Sequence, residues 1–225
     1  MFQRFANRSY QLERLDTGDY TPAEYRRWQQ EMRFIHRIFG EFRALRRTLF
    51  RDLQRTRGPV SILDVGAGSG ELLRQLHKWA SGRETFFVGA EINREATLSI
   101  RSETISAVQC DALQLPFDDK SFDFVFCSLF LHHLGDEAAV RLLGEMSRVA
   151  KRRIYAIDLN RQPLAYYLYK AIGRFLLQRF TVEDGALSIL RSFRPDELLK
   201  VADAAGLRDV QVEHSRLNRL ILSGR

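Results

Sequence analysis

The sequence predicts an α/β fold. A mostly parallel seven-stranded sheet with an antiparallel last strand follows an N-terminal helical cap. Three observations carry this. From Val60 to about Leu159 short β-rich runs alternate with helical patterns, which is the grammar of a parallel sheet covered on both faces. Two strand-like runs lie close together near the C-terminus, close enough for an antiparallel pair. Before Gly58 the apolar residues recur at helical and not strand spacing. The expected organisation is a cap over residues 1–58 and one domain over residues 59–225, with residues 161–193 inserted as a lid.

The cap begins its main helix at Thr21. Thr21 with Glu24 forms a capping box, and Pro22 takes the first helical position. Tyr25, Trp28, Met32, Ile35, Phe39, Phe42, Leu45, Leu49 and Leu53 then draw one apolar stripe, which Gly40 breaks into two helices. Arg57-Gly58-Pro59 ends the segment. An exposed stripe of this kind invites aggregation, so it must be buried, and the carboxyl edge of the sheet is the expected surface.

The strands follow in order: VSILDV, TFFVGAE, ISAVQCD, SFDFVFCSL, RRIYAIDL, RDVQVEH and RLNRLILSG. Helices are expected from Ser69 to about Ala80, after Asn93, from Asp136 to Val149, and from Pro195 to Ala205 before Gly206.

The net charge of the 225-residue chain is +7, and residues 1–58 hold thirteen arginines against seven acids. Nearly all the excess thus belongs to the cap, which could meet nucleic acid, an anionic membrane surface or an acidic substrate. No apolar run reaches the ~18 residues needed to span a bilayer. The first residues lack the pattern of a signal peptide, so the expected location is cytoplasmic. Cys110 and Cys127 stand in no metal-ligand spacing, read as reduced thiols, and no metal is expected.

The chemistry starts at "ILDVGAGSG", Ile62 to Gly70. Glycines after the first strand let a ligand touch the main chain. Their spacing is G-x-G-x-G, and Glu71 stands where a dinucleotide fingerprint needs its third glycine. A carboxylate beside a pyrophosphate is unfavourable, and no Gly-Lys-Ser/Thr follows, which leaves a nucleoside ligand without pyrophosphate. Glu91 ends the second strand, where two carboxylate oxygens suit two ribose hydroxyls. Asp111 and the Ala112 amide follow the third strand, where they suit the 6-amino group and a ring nitrogen of adenine.

Together "LDVGAGSG", "GAEIN" and "CDALQLPFDDKSFDFVFCSLFLHHL" resemble the class I S-adenosylmethionine-dependent methyltransferases, most closely the branch with the ubiquinone and menaquinone enzymes. The resemblance covers about Val60 to Leu159 and implies a Rossmann-like methyltransferase fold. It implies that S-adenosylmethionine is the cofactor and S-adenosylhomocysteine the product. It also implies that Asp64, Gly66, Ala67 and Gly68 border the methionine part, that Glu91 holds the ribose, and that Ile92 lies on adenine. Asp111 and Ala112 read adenine, and Ser128 and Leu129 lie near the methionyl amine and sulfonium. Arg33 or Arg37 could fork onto the cofactor carboxylate.

His132 and His133 follow the fourth strand and are the candidate bases, although Leu-His-His-Leu is also a common family pattern. His36 is a weaker candidate, and His77 and His214 read as structural or exposed. The run Cys127-Ser128-Leu129-Phe130 lacks the Asn/Asp-Pro-Pro-aromatic signature of amine methylation in nucleic acid, and there is no Pro-Cys nucleophile. The aromatic lid, with Tyr166, Tyr167, Tyr169, Phe175 and Phe180, favours a hydroxylated aromatic, quinol, polyketide-like or lipid-like small molecule, methylated at oxygen or carbon. Nucleic acid is disfavoured as partner, and peripheral membrane contact is left open. RNA methylation through the arginine-rich cap is the alternative. A non-catalytic cofactor-binding interaction protein is the third reading.

Overall fold

The computed structural model describes residues 3–38, 40–215 and 217–225; the side chains of Gln29, Arg33, His36, Arg37 and Ile38 lie outside that description. After a single turn, Arg14–Thr17 (α1), come Pro22–Ile38 (α2), Glu41–Arg47 (α3) and Leu49–Arg55 (α4). The alternating region holds Val60–Val65 (β1), Glu71–Trp79 (α5), Thr85–Glu91 (β2), Arg94–Ile100 (α6) and Ile105–Gln109 (β3). It continues with Phe122–Ser128 (β4), Asp136–Val149 (α7) and Ala150–Leu159 (β5). The insertion is two helices, Pro163–Leu176 (α8) and Arg179–Arg191 (α9), before Pro195–Ala204 (α10), Gln211–Ser215 (β6) and Arg219–Gly224 (β7).

The sheet order is β3-β2-β1-β4-β5-β7-β6. The first five are parallel, and β7 runs antiparallel to both β5 and β6. Strand order reverses between β1 and β4, and open α/β sheets bind ligands beyond the carboxyl ends of the strands at such a point.

Alternate residues of each central strand enter opposite cores. Leu63, Val125, Ile154 and Leu222 pack against α7 and α10 through Leu142, Met146 and Leu198. Ile62, Phe126, Tyr155 and Ile221 face the other way, onto Leu73 and Leu76 of α5 and Ala44, Leu45, Leu49 and Leu53 of α3 and α4. The Tyr155 hydroxyl donates to Asp52 (2.6 Å), and Arg219 Nε donates to the fully buried Glu41 (2.7 Å), so polar as well as apolar contacts seat α3 and α4.

The capping box at Thr21 is present: the Thr21 amide donates to Glu24 (2.8 Å) and the Glu24 amide to the Thr21 hydroxyl (3.2 Å). Gly40, at φ 101°, separates α2 from α3. One expectation fails. The later part of the apolar stripe, Leu45, Leu49 and Leu53, covers a face of the sheet and not its carboxyl edge. Periodicity shows that a helix has an apolar face and leaves open what that face meets. The chain before α2 approaches the carboxyl edge instead. Buried Arg161 binds the carbonyls of Phe5 (3.1 Å) and Ala6 (3.3 Å) and Glu197 (2.9 Å), while the Arg8 guanidinium lies over the Phe193 ring and donates to the Arg191 and Leu134 carbonyls.

Candidate active site

The loop after β1 needs its glycines. Gly66, Gly68 and Gly70 have φ of 71°, 52° and 75°, in the left-handed region that side chains resist. The Gly66 and Ala67 amides both donate to the Ala90 carbonyl (2.9 and 3.1 Å), which fixes the loop against β2. A Cβ on Gly66 would lie 3.0 Å from the Phe130 ring, whereas one on Gly68 would meet nothing within 4 Å. The backbone at Gly68 is therefore bare and open.

Glu91 sits at the tip of β2 with its carboxylate turned to this loop, accepting from the amides of Gly68 (2.9 Å) and Asn93 (3.0 Å). Ile92 beside it is 67% exposed, an apolar residue left to solvent. Asp111 follows β3 in an Asx turn, accepting from the Leu113 amide (2.9 Å), with Ala112 partly buried next to it. Asp64 closes the floor. It is 2% exposed and its carboxylate has no hydrogen-bond partner among the described residues. Burial pushes its pKa well above the ordinary carboxylate range, and the neighbouring Glu91 charge adds to the rise.

At the tip of β4, the Ser128 hydroxyl is buried with no partner among the described residues. Leu129 is held at φ 52° while its amide donates to the Ile157 carbonyl (2.8 Å), an unusual backbone for leucine. A buried acid and a buried hydroxyl, both without a partner among the described residues, and an open glycine backbone thus meet at one edge of the sheet. That set fits a cationic nucleoside such as the implied cofactor, whose ammonium and hydroxyls supply the missing partners. Arg33, Arg37 and His36 lie, by their side chains, outside the described residues.

The two histidines are close but differently placed, with ring centroids 4.2 Å apart. His132 is buried; its Nδ1 donates to Asp158 Oδ1 (2.6 Å) and its amide to Oδ2 (3.0 Å). Burial alone would raise the Asp158 pKa, but the His132 charge and hydrogen bond outweigh it and hold the carboxyl below its usual value. His133 is partly exposed, and its Nδ1 lies 3.2 Å from Asp16 Oδ1. Arg191 ties these parts together. It donates to the carbonyls of His132 (3.2 Å) and His133 (2.9 Å), pairs with Asp16, and lies 3.5 Å from Glu13.

Glu13 is buried beside Ser188, which donates to it (2.8 Å), and burial pushes its carboxyl up to about 7. Burial also acts upward on Asp16, but hydrogen bonds from His133 and Arg191 prevail and keep it well below the carboxylate range. A carboxylate oxygen of Glu13 and a ring nitrogen of each histidine lie within 4.8 Å of one another, a group able to hold a proton or a metal ion.

Glu13, Asp16, Asp158 and Arg191 escaped the sequence reading. Asp16 and His133 are 117 residues apart, and no local spacing links them. The lid also differs from expectation. Tyr166 and Phe180 are core residues packed with Phe5, Ile189 and Leu190 or with Tyr20, while Tyr167 and Phe175 face solvent. Its aromatics are thus divided between core packing and an outer surface. His77 packs edge-on against Phe87, and His214 is exposed on β6, as expected. Both cysteines are free thiols.

Residues 62–153 match the family model described as a methyltransferase domain. A demethylmenaquinone methyltransferase of Roseiflexus castenholzii is 30% identical over 165 residues, which cover 66% of this chain and 68% of the relative. A ubiquinone biosynthesis O-methyltransferase of Idiomarina loihiensis is 26% identical, covering 71% of this chain and 66% of the relative. Among solved structures, the plantazolicin methyltransferase BpumL, in complex with a monoazolic desmethylPZN analog and SAH, aligns with a TM-score of 0.71. That alignment has 16% identity and covers 94% of this chain and 92% of that one. A SAM-dependent methyltransferase from Aquifex aeolicus aligns at a TM-score of 0.56 with 18% identity, covering 79% of this chain and 88% of that one. At these identities the structures speak for the fold.

Proposed function

This chain belongs to the class I S-adenosylmethionine-dependent methyltransferases, and from that premise we propose that it methylates a small, apolar, hydroxylated aromatic or quinol-like acceptor at oxygen or carbon. When bound, S-adenosylmethionine supplies an electrophilic methyl group on a sulfonium. The chain's own part is to hold the partners in line at about 3–3.5 Å and to keep water out.

Asp64 takes the methionyl ammonium, Glu91 the ribose hydroxyls, and Asp111 with the Ala112 amide the adenine edge. Ser128 and Leu129 border the methionyl amine and sulfonium. His133, partly exposed and oriented by Asp16, is the candidate to take a phenolic proton. His132, buried against Asp158, is a positioning residue for the turn after β4.

The observation that carries the reading is the junction of the bare glycine loop with the carboxylate-braced histidine pair at the ends of β1 and β4. Relatives named for demethylmenaquinone and ubiquinone methylation support the acceptor class. One cluster of arginines gives RNA no help at the candidate site: Arg55 and Arg57, the last two of the cap, join Arg152, Arg153 and Arg225 around an open groove of about 430 Å³ at the amino edge of the sheet, opposite that site.

The test is kinetic, with hydroxylated aromatics and quinols as acceptors and RNA as competitor. His133→Gln should lower turnover about 10²–10⁴-fold with cofactor affinity intact. A loss below about fivefold would remove the base from the reading. Competition by RNA at physiological salt would move the acceptor to nucleic acid.

A further inference from the structure

Helix α8 has two apolar faces, and among the described residues only one is covered. Its inner face docks on α9: Tyr166 and Gly173 are buried, Gly173 lies against Val182, and the Tyr169 hydroxyl donates to the Thr181 carbonyl (2.7 Å). Its outer face carries Leu164, Tyr167, Leu168, Ile172, Phe175 and Leu176 at three- and four-residue steps, and all six are exposed, Phe175 by 80% and Leu164 by 70%. A monomer rarely leaves so continuous an apolar strip in water.

The charge beside the strip selects its partner. Between Pro163 and Leu176 there is no acid, and the cations Lys170 and Arg174 stand one turn apart along one side of the strip. Arg4 joins them: its guanidinium and the Lys170 ammonium both lie over the Tyr166 ring, at 5.1 and 5.4 Å. Two copies paired through this strip would bring cations together with no acid on α8 to answer them. An anionic lipid surface answers them and accepts the apolar side chains as well. A helix of 14 residues is too short to cross a bilayer but suited to lie in its surface.

We propose that α8 docks this protein on anionic membranes. Its outer face enters the boundary between headgroups and acyl chains, while Arg4, Lys170 and Arg174 remain among the headgroups. This places a surface for lipid on the outer side of the lid without using any residue assigned to the cofactor or to the histidine pair.

The experiment is co-sedimentation of the full chain with vesicles of phosphatidylcholine alone and of phosphatidylcholine mixed with phosphatidylglycerol. Binding is expected to the mixed vesicles and to weaken with salt. Leu168→Glu combined with Phe175→Glu should lower the partition at least about tenfold, with melting temperature and cofactor affinity unchanged. Lys170→Glu combined with Arg174→Glu should abolish the preference for anionic vesicles. Failure to bind either vesicle, or binding that survives the paired glutamates, would overturn the proposal. So would a dimer in light scattering that the same glutamates dissolve while vesicles remain unbound, since the occupant would then be a second copy.

Discussion

Asp64 makes cofactor binding depend on pH, and the sign follows from its surroundings. In the free protein the carboxyl is buried, has no counter-charge among the described residues and sits near Glu91, so it keeps its proton well above the ordinary carboxylate range. Pairing with an ammonium requires the carboxylate. Below the free-protein pKa, binding therefore releases a proton, and each fall of one pH unit should weaken affinity tenfold, about 1.4 kcal/mol. Above that pKa the affinity should level off. The useful window lies above the ordinary carboxylate range and below the titration of the cofactor amine. Calorimetry in two buffers of different ionisation enthalpy reads both the dissociation constant and the proton released. Asp64→Asn should remove the slope and weaken binding by a charged hydrogen bond, about 1.5–3 kcal/mol. An affinity constant across the window, with no proton released by the unsubstituted protein, would refute the reasoning.

Four further predictions concern the loop and the N-terminal segment. Gly66→Ala and Gly68→Ala both place a side chain at positive φ, at a cost of about 1–2 kcal/mol. Gly66→Ala also pushes on Phe130, so denaturant titration should show it as the less stable of the two. Between about pH 4.3 and the folded-state value of about 7, Glu13 keeps its proton in the native state while the unfolded chain loses it, so stability should fall as pH rises through that window. Glu13→Gln should therefore raise the melting temperature at alkaline pH and change it little in acid; equal shifts at both would contradict the assignment. A chain beginning at Gly58 should fail to melt cooperatively, because Leu45, Leu49 and Leu53 would leave a face of the sheet bare, each lost leucine costing about 2–5 kcal/mol. Removal of residues 1–19 should leave the melt cooperative and lower turnover, since that segment supplies Glu13 and Asp16 and not the central core.

The sequence made the sheet readable because its signals are local. Glycines at positive φ, a carboxylate at each of two strand tips and strands alternating with helices all lie within short windows. The antiparallel pair β6 and β7 was legible from the short distance between its two runs. What escaped was contact at long range. The approach of Asp16 to His133, and of Arg191 to both histidine carbonyls, depends on how the N-terminal segment and α9 wrap the end of β4. No spacing records that. The stripe on α3 and α4 was legible as a stripe, but its destination depends on how much of one sheet face α5 leaves uncovered. For α8, a helix apolar on two sides gives no periodic signal to tell the packed side from the free one.

Whether the carboxyl edge of this sheet brings a sulfonium methyl to a small apolar acceptor is measured most directly with S-adenosylmethionine carrying an isotopic methyl label, offered with a panel of quinols and hydroxylated aromatics alongside RNA, and with the product identified by mass spectrometry. The expected product is a small aromatic or quinol one methylene heavier, with the label on its oxygen or ring carbon and none in RNA. Label found in RNA alone, or in no acceptor while the cofactor is bound tightly, would contradict this reading.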